Sequence, residues 1–426
     1  MMLNQFQQQL TLHFPHQSHF LVGLSGGIDS VVLLHLFNQA KATFNLHLRA
    51  IHIHHGLSPN ADHWVEFCQQ LCGNWNIPFT VRHVGVSGKQ GIEAEARKAR
   101  YQAIDEVIQP NEVLATAHHL DDQAETFFLA LKRGSGLKGL SAMQAVSFQQ
   151  NFANFRPLLG FSKGEIIDYA IQNHLQWIED ESNSNTHYDR NFLRQAVLPQ
   201  LNQRWVQFNR MVARSAEHCA EQQQLIEELL ADELNHRIDS TKQRLDIGGF
   251  HAFSGLKQQQ LIRLWLARSN VAMPSQKQLE QIIQKLILAK QDKNPQVKLG
   301  ELIVRRYQQG IFITKAFADT HDFAVELPYP LQNSIILPDN IGSIQRNATS
   351  LICKFSEKTD RLQLPRTLWD QPLKLKLHHS GKVKIYGKPL REEMKKIWQQ
   401  HHIPVWQRSR TPLLFFEDQF VMLLCT

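Results

Sequence analysis

The sequence predicts an α/β chain: a doubly wound parallel-sheet domain over residues 1–202, a long connector helix over 203–235, and two smaller domains at 236–325 and 340–426. Three observations carry this. From Phe20 to about Leu201, short apolar runs alternate with helical patterns, a βαβα rhythm that argues for a parallel sheet covered on both faces. A glycine turn, Ser25-Gly26-Gly27-Ile28-Asp29-Ser30, joins the first apolar run to the first helical pattern. Beyond Leu201 the rhythm stops, and a Gln- and Glu-rich helical stretch leads into mixed segments with hairpin and proline signals. At about 150 residues per domain, 426 residues allow two or three.

Each element has its own signal. Phe20-Leu21-Val22-Gly23-Leu24 is short, apolar and strand-like, and Asp29 to Asn38 places Val32, Leu33, Leu36 and Phe37 at helical spacing. His47 to His54 alternates as a strand, Ala61 to Trp75 is helical, and Phe79 to Val84 is a third strand. Gly91 to Ile108 is helical, Glu112 to Ala117 is a strand, and Asp121 to Leu131 is the next helix. Right-handed crossovers bring the loops after these strands to one edge of the sheet, where such folds bind ligands. Asn202 to about Ala231 reads as one long helix. Asp246 to Thr314 reads as a small α+β unit, with helices at Leu256 to Arg268 and Gln276 to Ala289, the second capped by Ser275. Val297 to Val304 and Gly310 to Thr314 can pair as a hairpin around Gln308-Gln309-Gly310. Leu327 to Pro338, with three prolines, reads as a linker, and Ser350 to Thr426 as a final α/β-like piece.

Composition removes several classes. Hydrophobic residues at 42% and charged residues at 20% are ordinary globular usage, which excludes disorder and collagen-like structure. No apolar run approaches the roughly 18 residues needed to cross a bilayer. The start, Met1-Met2-Leu3-Asn4-Gln5-Phe6, lacks a basic and then apolar leader, so a secretory signal is not expected. Five scattered cysteines, Cys68, Cys72, Cys219, Cys353 and Cys425, suit a reducing cytoplasm rather than a disulfide framework. Cys68 and Cys72 read as core-facing thiols on a helix, since a redox or zinc pair usually has two intervening residues. A net charge of +7 suggests a polyanionic partner, although a basic surface serving solubility gives the same number.

The Ser25–Ser30 turn is the strongest chemical signal. Two glycines let the backbone approach an anion without a Cβ in the way, and the free N–H groups of the following helix favour a phosphate. Ser25 and Ser30 add hydroxyls, and Asp29 suits such a place if it accepts a hydrogen bond or holds Mg²⁺. The turn has no Lys, so it is not the Walker loop; Gly381 to Gly387-Lys388-Pro389 is a decoy with one residue too many. An ordinary glycine turn between strand and helix remains the alternative.

His118, Asp122 and Glu125 follow one another at helical spacing, which puts all three on one face if the helix starts early enough. They would make a pocket for an amine, or for a metal and a base; a solvated acidic face is the plain alternative. A zinc site from His118, His119 and Asp122, with His52, His54 and His55 in reserve, is disfavoured by spacing and by the absence of a cysteine. Arg97 and Arg100 can face a phosphate together, or pair with Glu93 or Glu95. Arg190 and Arg194 stand one turn apart, and Arg133 to Gly139 is a glycine loop with two cations. Near the C-terminus, Lys374, Lys376, Lys382, Lys384, Lys388, Arg391, Lys395 and Lys396 form a basic cluster opposed locally by Glu392 and Glu393, and Trp398 and Trp406 are interleaved with His401, His402, Arg408 and Arg410. Cations with aromatic faces suit RNA, and equally a basic surface over a Trp-containing core.

Taken in order, these blocks resemble the N-type ATP pyrophosphatases with an SGGxDS (PP-loop) motif and, within them, the tRNA(Ile)-lysidine synthetases. The blocks are Leu24 to Ser30, His54-His55-Gly56-Leu57 with Ala61-Asp62, Gly91 to Tyr101, and Ala115 to Thr126. Arg133 to Leu137, Arg156-Pro157-Leu158-Leu159, Glu179-Asp180-Glu181-Ser182-Asn183, Arg190-Asn191, Arg194, Lys395 to Trp398 and Ile403 to Trp406 continue the likeness over nearly the whole chain. The resemblance implies a Rossmann-like PP-loop ATPase domain that binds nucleotide, followed by tRNA-binding domains. It implies ATP as co-substrate with Mg²⁺ on Asp29, free L-lysine, and tRNA(Ile) with a CAU anticodon whose cytidine becomes lysidine. It makes Asp29, His118, Asp122 and Arg190 catalytic, and Ser25, Gly26, Gly27, Ile28, Asp29, Ser30, Arg97 and Arg100 the ATP and pyrophosphate site. Lysine falls to Asp122 and Glu125, and tRNA to Arg133, Arg194, Lys382, Lys384, Lys388, Lys395 and Lys396. The expected compartment is the cytoplasm, and a homodimer stays open. A tRNA thiolase would need catalytic cysteines in a recognised motif, and an amidating ligase a glutaminase segment, not expected before residue 20. A non-catalytic RNA- or nucleotide-binding module is the third alternative.

Overall fold

In the computed structural model, residues 1–56, 58–85, 92–149, 151–179, 187–288, 294–329, 334–355 and 358–424 are described. Leu57, Gly91, Asp180-Glu181-Ser182-Asn183, Ala289, Pro330 and Cys425, invoked above, lie outside the described residues, as do the side chains of Ile92, Glu93 and Ala94. The chain divides into two compact units, Met1–Glu228 and Leu229–Thr426.

The first unit starts with α1 (Met2–His13), whose Phe6 and Leu10 are buried, and then β1 (His19–Gly23), α2 (Ile28–Ala40), β2 (His47–His54), α3 (Ala61–Asn74), β3 (Phe79–His83) and α4 (Ile92–Asp105). It continues through β4 (Val113–Ala115), α5 (Leu120–Lys132), α6 (Leu137–Leu140), β5 (Val146–Phe148), β6 (Ala153–Phe155) and α7 (Lys163–Gln172). The sheet runs β3-β2-β1-β4-β6-β5, parallel except for the β5–β6 pair. This is the doubly wound parallel sheet expected from the βαβα rhythm. From β1 the chain first fills one side of the sheet, then returns to add β4 on the other, so the order reverses between β1 and β4. A crevice opens at such a switch point, beyond the carboxyl ends of the two strands. The residues there are Leu24 to Gly27 after β1 and Thr116 to His119 after β4.

Burial explains the solidity of this frame. Phe20, Leu21 and Val22 of β1 are all fully buried, as a central strand covered on both faces must be. Nearly all of α2 is buried too, from Val31 to Phe37, because it packs under the sheet and against α7. Cys68 and Cys72 are buried in the same core, where two thiols packed as small apolar groups were expected.

After α7 come α8 (Asp189–Phe192), a wide helical turn at Leu193–Val197, α9 (Leu198–Arg204) and α10 (Phe208–Arg237). The single helix expected from Asn202 is therefore broken: Trp205 is extended and Gln207 is left-handed at φ +66°, which ends α9 before α10 starts.

In the second unit, β7 (Ile238–Asp239), β8 (Arg244–Asp246), α11 (Gly255–Arg268), α12 (Gln276–Ile282), β9 (Gln296–Leu299), β10 (Leu302–Tyr307) and β11 (Gly310–Lys315) build an antiparallel sheet with helices. Here Val297 to Val304 is not one strand. Gly300, at φ +60°, turns the chain between β9 and β10, and β10 then pairs with β11 around Gln308-Gln309. The stretch read as a linker also carries strands at its ends, β12 (Ala324–Leu327) and β13 (Ile335–Ile336).

The remaining elements are β14 (Ser343–Arg346), β15 (Ser350–Phe355), β16 (Lys358–Gln363), β17 (Leu373–Lys376), β18 (Lys382–Ile385), β19 (Arg391–Glu393), α13 (Met394–Gln400), α14 (Val405–Arg408), β20 (Leu413–Phe416) and β21 (Gln419–Leu423). They form a six-stranded sheet, β12-β17-β20-β21-β18-β19, and a four-stranded one, β13-β14-β15-β16. Strands outweigh helices here, so the α/β-like reading of Ser350 to Thr426 gives way to a strand-rich domain. Arg346 ties it together from inside: it is 2% exposed and donates to the carbonyls of Leu327, Leu368, Trp369 and Gln371.

Candidate active site

The turn after β1 is bent by Gly26, at φ +89°, a conformation that disfavours any side chain. A Cβ there would also stand 3.1 Å from Ile178 Cδ1 and 3.2 Å from Cys68 Sγ, so the position is closed to larger residues on both counts. Ser30 Oγ donates to Gly27 O at 2.8 Å and accepts from Ser25 N at 3.2 Å, which makes the loop a fixed cradle. Gly27 caps α2 without a side chain, so no capping oxygen covers the first N–H groups of the helix. An uncapped helix start behind a glycine bend is an anion acceptor.

Opposite it, His119 caps α5. Its ring Nδ1 accepts from Asp121 N at 3.3 Å, while its own N–H donates to Asp122 Oδ2 at 3.0 Å. That tautomer turns Nε2–H toward Asp122 Oδ2 at 3.5 Å and Asp29 Oδ1 at 3.7 Å. His119 thus links the two loops of the switch point. His118 stands before the helix, not on it. Its Nδ1 lies 3.0 Å from Thr116 Oγ1, which donates to Asn154 Oδ1 at 3.0 Å. The shared face anticipated for His118, Asp122 and Glu125 is therefore a face of loop and helix together.

Glu125 is fully buried, and both its oxygens are taken. Arg190 Nε donates to Oε2 at 2.9 Å, Arg194 Nε to Oε1 at 2.6 Å, and Arg194 Nη2 to Oε2 at 3.0 Å. Arg194 Nη2 also reaches Asp122 Oδ1 at 3.1 Å. Burial works against the charge of Asp122, but His119, His118 and Arg190, with the backbone bond from His119, outweigh it and hold its pKa below the ordinary carboxylate value.

Local spacing gives no hint of Lys163. It is the first residue of α7, and its Nζ grips both oxygens of Asp29, at 2.7 and 2.8 Å. Its backbone N–H donates to Asp121 Oδ2 at 2.7 Å. The cation missing from the glycine loop is thus supplied from 134 residues further along the chain. The only local sign is the capping box Ser162 to Glu165, which fixes where α7 begins and so where Lys163 sits.

Positive charge is crowded around these groups. Arg100 keeps solvent access, yet partial desolvation, with Arg97 and Arg190 beside it, lowers its pKa. His55 is pushed down to about 4 by burial, then by Arg100 and the neighbouring His52 and His54. Burial also depresses His118, and Arg156, Arg190 and Arg97 add to the effect against the pull of Asp122, so its imidazole is neutral. Arg97 itself lies over the ring of Tyr101, 5.3 Å from its centroid. In each of these shifts burial is the largest cause and the neighbouring guanidinium groups push the same way.

The structure therefore brings Ser25 to Ser30, Arg97, Arg100, His118, Asp122, Glu125, Arg190 and Arg194 into one crevice. Arg133 is exposed at the end of α5. Lys382, Lys384, Lys388, Lys395 and Lys396 belong to the second unit and are all exposed. Lys382 and Lys384 flank buried Val383 on β18, and Lys395 and Lys396 precede buried Ile397 and Trp398 on α13. Among the described residues no group of three or more His, Cys, Asp or Glu side chains is gathered for a metal, and no helix is long and apolar enough to cross a membrane.

Comparison with known proteins gives matches along nearly the whole chain. The PP-loop domain family matches residues 2–201, the TilS substrate binding domain residues 245–312, and the TilS substrate C-terminal domain residues 373–424. The tRNA(Ile)-lysidine synthase of Actinobacillus pleuropneumoniae serotype 3 is 58% identical over 423 residues, 99% of this chain and 100% of its own. That of Haemophilus ducreyi is 56% identical over 424 residues, 100% of this chain and 98% of its own. That of Haemophilus influenzae strain PittGG is 47% identical over 406 residues, 94% and 93% of the two chains.

Proposed function

The chain belongs to the tRNA(Ile)-lysidine synthase family, and from that premise we propose that it joins free L-lysine to C2 of the cytidine at the first anticodon position of tRNA(Ile) with a CAU anticodon, in the cytoplasm. One observation carries the reading: a glycine cradle at an uncapped helix start faces a crevice crowded with guanidinium groups, opposite the carboxylate of Asp122. The cradle and the cations fit a nucleotide's phosphates, and the carboxylate fits an ammonium group.

The cytidine 2-oxo group is a poor leaving group, so an amine cannot displace it directly. In the proposed sequence that oxygen attacks the α-phosphate of ATP, the α–β phosphoanhydride bond breaks, and pyrophosphate leaves from the Ser25–Ser30 loop. The lysine ε-amine then attacks C2 of the adenylated base, and AMP departs with the former 2-oxygen. The product pairs with A instead of G, which changes the codon read from AUG to AUA and the identity from methionine to isoleucine.

Residue roles follow from the geometry. Ser25, Gly26, Gly27, Ile28 and Ser30 would hold the pyrophosphate, and Arg97, Arg100 and Arg190 would neutralise charge developing at the α-phosphate. Asp122 would orient the lysine ε-ammonium. Glu125, whose side chain is fully buried where that of Asp122 is still 13% exposed, would serve lysine binding indirectly, by aiming Arg190 and Arg194. His118 is neutral in the free enzyme; an anion beside it raises its pKa and lets its unprotonated ring nitrogen accept the proton that the attacking amine sheds. Mg²⁺ takes oxygen ligands, and one carboxylate with phosphate oxygens is a usual set, so Asp29 fits it provided Lys163 yields. When bound, the ion would screen the phosphates. Arg133, Arg194, Lys382, Lys384, Lys388, Lys395 and Lys396 would contact tRNA.

Sulfur transfer is the weaker reading. Cys68 and Cys72 are buried, and burial pushes both thiols up to about 12, so neither supplies a thiolate.

The test is release of AMP and pyrophosphate from ATP, with lysine and tRNA(Ile) each omitted in turn. AMP formation should require the tRNA, and Asp29→Ala should abolish it. ATP left intact, or cleaved only to ADP, would overturn the reading; near-normal turnover by the variant would remove Asp29 from it.

A further inference from the structure

The second unit contains a half-open cavity of about 360 Å³. His378 and His379 after β17, His321, Lys395 and Trp398 on α13, and Arg408 at the end of α14 line it. Two polar atoms in this lining, His379 Nε2 and Arg408 Nε, are buried without a hydrogen-bond partner. The guanidinium Nε–H is necessarily a donor and the imidazole nitrogen is one when it carries the proton, and such buried groups left unpaired are uncommon and costly. Lys395 and Arg408 in the lining face one carboxylate there, Glu393. The rings of His321 and His378 lie 4.2 Å apart, and burial together with the charges of His321 and His379 depresses His378. Two carboxylates oppose this: Glu393 at the wall, and Asp319, which is engaged with His321 Nδ1 at 2.6 Å.

We propose that this cavity takes one phosphodiester of the RNA substrate, held by Arg408, His378 and His379, with its sugar against the apolar side formed by Trp398 and Val405. The inference rests on the tRNA reading above and deepens it. The exposed lysines of β18 and α13 give attraction without register, because flexible ammonium groups follow any phosphate. A walled cavity with buried donors at fixed positions accepts a phosphate at one place only, and so sets where the RNA lies on this domain. The volume allows a phosphate with its ribose.

Two variants of the full chain test it. Arg408→Gln removes the guanidinium, and Ser380→Asp puts a carboxylate on the exposed rim without touching the core. Affinity for tRNA(Ile) is measured at several salt concentrations, with melting curves as the control for folding. Both variants should bind about tenfold more weakly, as expected for one charge-assisted contact. The slope of log K against log salt should fall by about 0.7 to 0.9, one phosphate's worth. Inorganic phosphate, followed by the histidine proton resonances, should shift His378 and His379 saturably in the parent and less in Arg408→Gln. If the parent binds tRNA(Ile) and both variants keep its affinity and slope, this inference fails alone, even where inorganic phosphate binds. If the parent does not bind tRNA(Ile), the functional reading fails and takes this inference with it.

Discussion

Lys163 shows how much one side chain can decide. Its pair with Asp29 is partly open, the side chains being 41% and 29% exposed, and a pair of that kind adds only about 0–1 kcal/mol to stability. Stability is therefore a poor reason for placing a lysine across both oxygens of the loop's only carboxylate. Its position accounts better for phosphate binding: when a nucleotide enters, the ammonium group can pass from Asp29 to a phosphate and leave the carboxylate to a cation. Lys163→Met should leave the melting temperature nearly unchanged and raise the KM for ATP about tenfold or more, the loss of one hydrogen bond to a charged group. Lys163→Arg should restore most of it. A parental KM in Lys163→Met would show the lysine to be a surface partner of Asp29 and nothing more.

Helices meet at Glu125. On α5 the carboxylate faces inward, and the segment Asp189–Arg204 brings Arg190 and Arg194 onto it from outside, one turn apart. The wide turn at Leu193–Val197 starts just before Arg194 and lets both guanidinium groups reach one acid. A buried ion pair broken on one side leaves the other charge stranded, so Glu125→Gln should destabilise the first unit by about 3 kcal/mol, measured by denaturant titration. It should also lower kcat more than it raises the KM for lysine, because the guanidinium groups lose their aim while Asp122 stays. A rise in the KM for lysine alone would instead assign Glu125 to the amine directly.

Across the whole molecule, charge links the crevice to pH. The imidazole of His118 stays neutral in the fold, with a pKa below the 6.5 of an unfolded histidine, and that of His55 lies at about 4. The unfolded chain therefore takes up protons first as pH falls below about 6.5, and stability is lost from there down toward the folded values, while above it the contribution is complete. Unfolding free energy should thus drop between about pH 6.5 and about pH 4, with a shallower slope in His118→Asn. Saturating ATP should flatten the parental slope as well, since phosphates raise both folded pKa values. An identical slope in the variant would show that other groups dominate acid unfolding.

Sequence by itself determined the order of β1 to β4 along the chain, because each strand is a short apolar or alternating segment between helical patterns. It also determined the loop at Ser25 to Ser30, since glycines, hydroxyls and an acid at that spacing have few other uses. Local signals could not show that Gly300 turns the chain between β9 and β10, that Trp205 and Gln207 divide the long helix, or that strands dominate the final region, because turns and pairing partners are chosen by packing. Only the tertiary structure decided which charges meet. Glu125 with Arg190, His119 with Asp29, and Lys163 with Asp29 are separated by 65, 90 and 134 positions (119 − 29 = 90 for the second), and no spacing rule reaches that far. Ion pairs of that kind exist because strand crossovers deliver distant loops to one crevice, where burial makes each charge seek its opposite.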